Sequence, residues 1–456
     1  MHALRPRRLL PSLAALVGSS SFAFADYPIV SHRYLADPTS LVADGRVYLY
    51  CSNDDASPVG GSYNIPDVIC VSSSDMKNWT DHGSIFRAAD DTTWAKKTWA
   101  PGAIERDGKY YLYFGNSGAS IGVVVGDSPV GPFKDVLGKP LITHNSPGVQ
   151  PAKNMWLFDP GVFIDDDGQA YLYFGGNGDD NVRIARLNRD MVSIDGEIMK
   201  MNAPNFFEAA FVHKRNGVYY FSYSTTPRAG MRFDYMTSDR PDRGFTYKGV
   251  VSDQPPLNNN NHHAAQFEFK GRWYHAYHNR IVARDAGIPA GFRRNLAIEE
   301  FGYESDGSIR KVAFTPDGVA QLGHLDPYAR VEAETFAAQS GVETEPCSEG
   351  GMALADLQDG DWVRIRGVDF GPGGAKKFHA RIASLEDNTG AIEIRVGGPE
   401  GRVAGTVKVS TTGGDRHWAD LSADVSDLTG VQDLCLRFTG EKGKTLFKVN
   451  HWRFDR

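Results

Sequence analysis

The sequence has only four cysteines among 456 residues, and no Cys-x-x-Cys or Cys/His cluster, which argues against a zinc site. Basic residues are not in excess, because 49 Lys and Arg face 56 Asp and Glu, for a net charge of -7. This balance gives no electrostatic reason to expect nucleic acid or an anionic membrane as a partner. Beyond the N-terminal segment no run is long and apolar enough to span a bilayer, so we expect no membrane domain.

The first 25 residues have the pattern of an export signal. Three arginines within the first eight residues precede an apolar stretch at 9–17, and the segment closes with the small-x-small pattern Ala23-Phe24-Ala25. The apolar stretch is shorter than the ~20 residues that a membrane anchor needs. We therefore predict a signal peptide at 1–25 and a mature protein that is secreted or periplasmic.

Export would permit disulfides between the cysteines. Cys51 and Cys70 lie early in the chain and Cys347 and Cys435 lie late, which would suit one bridge in each domain. Four cysteines allow three pairings, however, and four buried free thiols are an equally good interpretation.

One short pattern recurs five times along the first two thirds of the chain. Each copy places a glycine in a tight turn and continues with alternating aromatic residues, which is typical of a β-hairpin. The turn glycines are 49 to 63 residues apart; they are Gly45, Gly108, Gly168, Gly217 and Gly271. This period is close to the length of a four-stranded propeller blade. The sequence thus predicts an all-β fold with a five-bladed β-propeller, in preference to a plain β-sandwich.

The pattern changes near Leu322. The remaining ~125 residues show short alternating strands separated by Gly-rich turns, a size and pattern that fit one further β-sandwich. We predict a propeller catalytic domain at 26–322 and a β-sandwich (jelly-roll) domain at 330–456.

The repeats place three acids in register. Counting back eight or nine residues from the turn glycine reaches Asp37, Asp159 and Glu208 in three of the repeats. The same count reaches Trp99 in the second repeat and His263 in the fifth. The first strand of each propeller blade lines the central axis, so equivalent positions at one end of it form a ring. Three carboxylates and a histidine are therefore predicted to face one cavity.

The sequence around each acid helps to separate a structural role from a functional one. Asp37 and Asp159 each precede a proline and could simply cap turns. That explanation fails for Glu208, which has phenylalanines at 206, 207 and 211, where an ionised carboxylate is unfavourable without a specific use. Three acids in register favour a functional role.

Two carboxyl groups across a gap that admits water are what inverting glycoside hydrolysis requires. Glu208 is the better general acid, because apolar surroundings raise the pKa of a carboxyl group. Asp37 would be the general base that activates the water. Asp159 would be a pKa modulator that holds Glu208 in position and keeps it protonated through like-charge repulsion.

At these residues the chain resembles glycoside hydrolase family 43, and the resemblance covers most of residues 30 to 320. The matching stretches are Ala36-Asp37-Pro38, Thr98-Trp99-Ala100-Pro101, Phe158-Asp159-Pro160-Gly161, Phe206-Phe207-Glu208-Ala209 and Asn260-Asn261-His262-His263. The resemblance implies a five-bladed propeller and inverting hydrolysis, with the roles already assigned to the three acids. Related families that cleave fructosides have Asn at the position of Ala36, which argues against a fructosidase.

The resemblance also implies two further site residues. His263, or with less support His262, would lie at the axis near a bound cation or water. Alternatively, the histidine would only form a hydrogen bond within the core. Arg294 would contact the acid or the sugar, with a surface ion pair as the alternative. Aromatic side chains that could wall a furanose ring, or equally serve as packing, are Trp94, Trp99, Phe158 and Phe207.

Family 43 enzymes mostly remove L-arabinofuranose or D-xylose, so the resemblance implies a plant cell-wall polysaccharide or oligosaccharide as partner. We expect an exo-acting α-L-arabinofuranosidase on arabinoxylan that is a monomer and needs no cofactor for its chemistry. β-Xylosidase is the next choice, followed by endo-arabinanase and galactofuranosidase, because loops rather than motifs decide among these sugars. A non-catalytic sugar-binding propeller is an alternative of another class, but its sequence would be expected to lose Asp37 or Glu208.

The C-terminal segment resembles carbohydrate-binding module family 6. The matching stretches are Val331-Glu332-Ala333-Glu334, Asp359-Gly360-Asp361-Trp362 and Asn450-His451-Trp452-Arg453-Phe454. The resemblance implies sugar stacking on exposed aromatics and a structural calcium, with Glu332 or Glu334 as ligands.

This segment departs from the module's pattern. Asp356 and Asp415 stand where stacking aromatics are usual, and Val449 stands where an asparagine is expected. Trp418 and Trp452 are therefore predicted to fill the core. The usual cleft is predicted not to bind sugar, which leaves a different face or a purely structural role.

Overall fold

The computed structural model of the chain describes residues 29–456 except 56, 59, 60, 259 and 386–389. The predicted signal peptide lies outside the described residues. The regular secondary structure of the described chain is almost entirely β-strand, which confirms the predicted all-β class. Its helical segments are short; they are α1 (Ala88–Asp91), α2 (Ile281–Asp285) and two 3-10 turns at Asp179–Asn181 and Pro227–Ala229. None of the helices in this part of the chain could cross a membrane, because none is sufficiently long and apolar.

Strands between Leu35 and Phe301 form five antiparallel sheets of consecutive strands. The first sheet has β1 (Leu35–Ala43), β2 (Arg46–Asn53), β3 (Val68–Ser73) and β4 (Trp79–Phe86). The second has β5 (Trp99–Arg106), β6 (Lys109–Gly115), β7 (Ser120–Gly126) and β8 (Ile142–Thr143). The third has β9 (Gly161–Ile164), β10 (Ala170–Phe174), β11 (Val182–Leu187) and β12 (Met199–Met201).

The fourth and fifth sheets continue the series. The fourth has β13 (Phe206–Arg215), β14 (Val218–Thr225), β15 (Arg232–Ser238) and β16 (Thr246–Asp253). The fifth has β17 (Ala264–Phe269), β18 (Arg272–Asn279) and β19 (Asn295–Phe301). Each of the five predicted turn glycines joins the first two strands of one sheet, so the predicted hairpins are confirmed. These glycines have φ between 73 and 85°, a left-handed conformation that residues with a Cβ rarely adopt.

The first strands of the five sheets lie against one another. Strand β1 contacts β5, β5 contacts β9, β9 contacts β13, β13 contacts β17, and β17 contacts β1. Two glycines permit the close approach: a Cβ on Gly102 would lie 1.9 Å from the carbonyl oxygen of Pro160, and one on Gly161 would lie 2.2 Å from that of Ala210. The starts of β5, β9 and β13 are therefore held close together by backbone packing.

Two further sheets form the C-terminal part. Its strands are β20 (Val331–Glu332), β21 (Thr335–Phe336), β22 (Ala338–Ser340), β23 (Glu343–Pro346), β24 (Met352–Ala355), β25 (Trp362–Asp369), β26 (Lys377–Ser384), β27 (Gly390–Val396), β28 (Val403–Val409), β29 (Gly414–Asp424), β30 (Val431–Gly440) and β31 (Lys448–Asp455). One sheet has the order β23-β24-β31-β26-β29, with β20 beside β31, and the other has the order β22-β25-β30-β27-β28. Apolar residues from both sheets form one core.

The two tryptophans predicted to fill this core differ. Trp452 is fully buried, as predicted. The prediction is wrong for Trp418, which is only partly buried and donates its indole N–H to the Ser348 hydroxyl at 2.8 Å. Trp418 lies on β29, the edge strand of its sheet, so no neighbouring strand covers one side of the ring.

The C-terminal part is joined to the first sheet by hydrogen bonds. Strand β21 pairs with β4 and extends that sheet by one strand. Beside this junction, the buried Asp81 carboxylate accepts hydrogen bonds from Arg33 at 2.7 Å and from the Thr344 hydroxyl at 2.7 Å, and lies 2.9 Å from a ring nitrogen of His32. Arg33 also donates to the Thr344 hydroxyl at 2.9 Å. The two parts therefore share a sheet, and Thr344 of the C-terminal part contacts the Arg33–Asp81 ion pair of the N-terminal part.

All four cysteines are free thiols, as in the second of the two interpretations given above, although Cys347 is only partly buried. Cys51 and Cys70 lie on neighbouring strands, but Cys51 pairs with Ile69 and Cys70 with Tyr50. Adjacent positions along a strand point to opposite faces of the sheet, so the two sulfurs pack into different core clusters.

Candidate active site

A cavity of about 240 Å³ lies where the first strands of the five sheets begin. The structure brings together here most of the site residues predicted for the N-terminal part, with several that sequence reasoning missed. The lining consists of Asp37, Tyr63, Ile65, Trp99, Ala100, Trp156, Phe158, Asp159, Phe207, Glu208, Asn260, Asn261, His263 and Arg294. Pockets for drug-sized ligands measure ~300–1,000 Å³, so this smaller volume favours a ligand of one or two sugar rings.

Local backbone irregularities near the strand starts aim side chains into the cavity. Asp37, Ala100, Asp159 and Ala209 have φ of 49, 35, 50 and 64°, although none is glycine. The pairing of β1, β5 and β13 with their second strands shifts register at the same places, as in a β-bulge. Asp37 and Asp159 occupy the left-handed position itself, whereas Glu208 comes one residue before it. Strain of this kind is typical of functional sites, where surrounding packing maintains it.

Asp37 lies in a buried network of charges and hydrogen bonds. Arg294, which is 1% exposed, donates from Nη1 to Asp37 Oδ1 and forms two further side-chain bonds with Asp54. The surface ion pair considered for Arg294 is therefore wrong, and its carboxylate partner in the cavity is the predicted base rather than the acid. The backbone N–H of Asp37 donates to Nδ1 of His278 at 3.2 Å, which assigns Nδ1 as the acceptor. A charge-assisted hydrogen bond from arginine is shorter and stronger than a neutral one, so it holds the Asp37 carboxylate in place.

Glu208 and Asp159 are both buried beside Asp37. Burial and the charges of Asp159 and Asp37 raise the pKa of Glu208 well above its usual value. Burial and the charge of Asp37 also raise the pKa of Asp159, although the Ala209 N–H donates to its Oδ2 at 2.7 Å. That rise brings the pKa of Asp159 to about 8, and because the Ala209 N–H favours its charged form, Glu208 holds a proton more tightly than Asp159 does.

His263 lies between two of the acids. Its Nδ1 is 3.7 Å from Asp37 Oδ1 and 3.7 Å from Asp159 Oδ2. Burial lowers the pKa of His263 to about 4, so the ring is neutral at neutral pH. Within the described ranges, no group of three or more His, Cys, Asp and Glu side chains is arranged to hold a metal ion. The cation considered for His263 therefore stays a prediction.

The calcium expected in the C-terminal part stays a prediction. Glu332 pairs with Arg330 at 2.8 Å near the surface. Glu334 is buried, burial raises its pKa to about 9, and its Oε2 has no hydrogen-bond partner among the described residues. Calcium prefers several ionised or carbonyl oxygens. No part of the proposed function depends on a calcium ion here.

Aromatic rings form one wall of the cavity. Trp156 packs against Phe158 at 5.0 Å and against Phe207 at 5.6 Å between ring centroids, and Trp99 lies 5.5 Å from Phe158. The Tyr63 ring faces the Arg294 guanidinium at 4.3 Å. Sequence reasoning missed Tyr63 and Trp156 because both lie in irregular segments outside the repeated hairpins, although Trp156 comes only two residues before Phe158.

Two of the residues considered above lie outside the cavity. Trp94 stacks on Phe114 at 5.7 Å and donates its indole N–H to Asp135 at 2.9 Å, so its role as part of the sugar wall is wrong. His262 is fully buried and hydrogen-bonds with the Ser252 hydroxyl at 2.9 Å. Of the two adjacent histidines, only His263 lines the cavity.

Comparisons with known proteins give consistent results over both parts of the chain. Residues 25–309 match the family model described as "Glycosyl hydrolases family 43", and residues 332–456 match "Carbohydrate binding module (family 6)". An "Arabinoxylan arabinofuranohydrolase" of Paenibacillus polymyxa is 39% identical over 97% of this chain and 75% of its own length. A protein with the same description from Bacillus subtilis (strain 168) is 38% identical over 97% of this chain and 94% of its own length.

A solved structure resembles the whole described architecture. It is a glycoside hydrolase family 43 arabinoxylan arabinofuranohydrolase from Bacillus subtilis in complex with cellotetraose. The TM-score is 0.88 at 38% sequence identity, and the alignment covers 95% of this chain and 98% of that one. The likeness therefore includes the C-terminal sheets as well as the sheets that form the cavity.

Proposed function

This chain belongs to glycosyl hydrolase family 43, and from that premise we propose that it is an inverting α-L-arabinofuranosidase acting on arabinoxylan. The observation that carries the proposal is the convergence of Asp37, Asp159 and Glu208 on one small cavity. The relatives described as arabinoxylan arabinofuranohydrolases support the substrate, because they share both parts of the chain. Exo action is favoured by a cavity too small for a polymer segment of several rings.

The proposed reaction is a single displacement. Asp37, as general base, takes a proton from a water molecule while the water oxygen bonds to the anomeric carbon. The glycosidic carbon–oxygen bond breaks, and Glu208 gives its proton to the leaving oxygen. Arabinofuranose is released with inverted configuration, and the polysaccharide keeps a hydroxyl group where the substituent was.

The other charged residues support this division of roles. Asp159 raises the pKa of Glu208 through its negative charge and is itself held by the Ala209 N–H. Arg294 holds the Asp37 carboxylate in place, and the neutral His263 ring lies between Asp37 and Asp159 without neutralising either. The aromatic wall excludes water from the remaining faces of the sugar, which strengthens these electrostatic effects.

The rest of the proposal concerns architecture and location. The five N-terminal sheets are five blades of a propeller. The first strand of each sheet contacts the first strand of the next, and β17 contacts β1, which supports this arrangement. The two C-terminal sheets are a jelly-roll sandwich related to sugar-binding modules. The export pattern at 1–25 supports a secreted or periplasmic monomer that meets plant polysaccharide outside the cytoplasm.

A panel of aryl glycosides tests the proposal. We expect 4-nitrophenyl α-L-arabinofuranoside to be cleaved, and proton NMR to detect the β-anomer of arabinose first. Faster cleavage of the β-D-xyloside would make the protein a β-xylosidase. First appearance of the α-anomer from the arabinofuranoside would overturn the inverting mechanism, and absence of cleavage across the panel would leave a sugar-binding propeller.

A further inference from the structure

Asp54 is a buried carboxylate in contact with the site that the proposed mechanism does not use. It follows β2 directly, is fully buried, and binds Arg294 through both of its oxygens. Arg294 Nε donates to Asp54 Oδ2 at 2.6 Å and Nη2 donates to Oδ1 at 2.9 Å. The backbone N–H of Arg294 also donates to Oδ2, at 3.1 Å. One side chain thus fixes both the backbone and the guanidinium of Arg294.

This pairing sets the direction in which Arg294 acts. A guanidinium is planar, so engaging Nε and Nη2 in a two-point contact fixes the orientation of Nη1. In this orientation Nη1 donates to Asp37 Oδ1, and the Tyr63 ring covers one face of the guanidinium at 4.3 Å. The position of the Asp37 carboxylate therefore depends on Asp54 although the two acids do not share a hydrogen bond.

We propose that Asp54 is a positioning residue for the general base, acting through Arg294. The inference rests on the proposed function, in which Asp37 takes the proton from water. Asp54 holds the guanidinium against Asp37 and keeps it from turning toward the other acids of the cavity.

The charges around the cavity explain why this restraint matters. The positive charge of Arg294 opposes the rise in pKa at both Asp159 and Glu208. A movement of Arg294 toward Glu208 would favour loss of the proton that the general acid must donate, and it would release Asp37. One substitution at Asp54 is therefore expected to damage both halves of the reaction without touching the sugar.

The first test compares D54N with D55N on 4-nitrophenyl α-L-arabinofuranoside. The D54N substitution keeps the shape of the side chain but removes the charge that holds Arg294. Because small displacements of catalytic groups cost on the order of 100-fold in rate, we expect kcat to fall by about that factor while KM changes much less. Asp55 is the matched control, since its carboxylate accepts from the Tyr34 N–H and lies 3.7 Å from Arg33. D55N should keep wild-type kcat.

A double-variant cycle with R294Q separates positioning from general stabilisation. If Asp54 acts through Arg294, D54N/R294Q should have nearly the same kcat as R294Q alone, because the intermediary is already lost. The proposal would be overturned if the loss of kcat in the double variant were the product of the losses in the two single variants. Wild-type kcat in D54N would also overturn it. Near-ultraviolet circular dichroism shows whether D54N folds. If it does not, the kcat of R294Q is compared with that of D54N/R294Q, because the double variant leaves neither Asp54 nor Arg294 as an unpaired buried charge.

The result is independent of the substrate assignment. A wild-type enzyme that cleaves only the xyloside would overturn the proposed substrate, and the same cycle would then be measured with that xyloside. A wild-type enzyme that cleaves the arabinofuranoside with an unaffected D54N would overturn the role of Asp54 alone. A wild-type protein that cleaves no glycoside would overturn both.

Discussion

The five N-terminal sheets and the two C-terminal sheets are built from similar strands but differ in where they place charge. In the N-terminal part, Asp37, Asp54, Asp159, Glu208 and Arg294 are all at most 9% exposed and converge near one cavity. In the C-terminal part, one apolar core joins both sheets; Arg364 is buried and pairs with Asp433, whereas pairs such as Arg381 with Glu349 are more exposed. Buried charge is costly, so its concentration in one part identifies where chemistry occurs.

The junction between the two parts combines features of both. It has a charge pair, the buried Asp81 with Arg33, and Asp81 also accepts a hydrogen bond from Thr344 of the C-terminal part. Burial alone would raise the pKa of Asp81, but the charge of Arg33 and the hydrogen bonds from His32 and Arg33 lower it well below its usual value. The buried carboxylate at this place contacts the C-terminal part, whereas the buried carboxylates of the cavity line the space where we propose that proton transfer occurs.

The largest expected effect is at the general acid. Glu208→Gln removes the transferable proton but keeps the side-chain size, so kcat on arabinoxylan should fall by about 10²–10⁴-fold with an unchanged fold. Arabinose release and near-ultraviolet circular dichroism measure the two effects. Glu197→Gln, at an exposed position of the same part, is the control and should keep full activity. Near-wild-type activity in Glu208→Gln would remove Glu208 from the mechanism.

The junction gives the next largest effect, on stability rather than on chemistry. Asp81→Asn removes the closer carboxylate partner of Arg33, leaving Asp55 at 3.7 Å, and should lower the free energy of unfolding by up to about 3–5 kcal/mol at pH 7. Because the folded-state pKa of Asp81 is depressed, this contribution is present above the unfolded-state pKa and disappears as the pH falls through the folded-state value. Urea unfolding at pH 7 and at lower pH measures both.

A surface pair supplies the comparison for Asp81. Asp195 pairs with Arg186 at 3.3 Å where both side chains are 46% exposed, so Asp195→Asn should change stability little. Equal effects of the two substitutions would contradict a special role for the junction. Removal of all residues after Leu322 should destabilise the N-terminal part more than Asp81→Asn, since it also takes β21 from the first sheet. A truncated protein with the wild-type melting temperature would show that the C-terminal part does not stabilise the N-terminal part.

A change of pH profile is expected at Asp159. The charge of Asp159 helps to raise the pKa of Glu208, which must be protonated to act, so activity is lost as the pH rises through that pKa. Asp159→Asn should therefore move the alkaline limb of the kcat profile to lower pH by about one unit. Asp166→Asn, at a side chain that is 87% exposed, is the matched control. An unmoved alkaline limb in Asp159→Asn would argue against electrostatic modulation.

The smallest effect is expected at the edge of the C-terminal part. Trp418→Ala removes a partly exposed ring and should lower the free energy of unfolding by less than about 2 kcal/mol, whereas Trp452→Ala should cost about 3–5 kcal/mol. Chemical denaturation compares the two. Binding of the Trp418→Ala variant to insoluble arabinoxylan further tests whether this face holds sugar, and unchanged binding would assign it no such role.

Repetition explains why much of the site could be predicted from the sequence. The turn glycines fix the register of each hairpin. Residues at the same distance from the turn therefore lie at equivalent places in neighbouring sheets, as Asp37, Trp99, Asp159 and His263 do. The same rule could have found Asp54, because the end of each second strand lies beside the start of the first: Asn53 pairs with Leu35. Counting forward from the turn glycine, as well as back, would have reached it.

Other features were not accessible to this reasoning. The partner of Arg294 depends on an ion pair between residues 257 positions apart, and no local pattern distinguishes the base from the acid as that partner. Tyr63 and Trp156 reach the cavity from irregular segments, whose course is set by packing. Trp418 was misassigned because alternation indicates which face a residue occupies but not whether its strand lies at the edge of the sheet.

The sequence by itself determined the strands, the hairpins and the three acids that share a register, because turn chemistry and side-chain alternation act over a few residues. The tertiary structure alone decided which groups keep their protons and which charges are paired. Desolvation and ion pairing depend on every atom packed around a group, and those atoms come from distant parts of the chain.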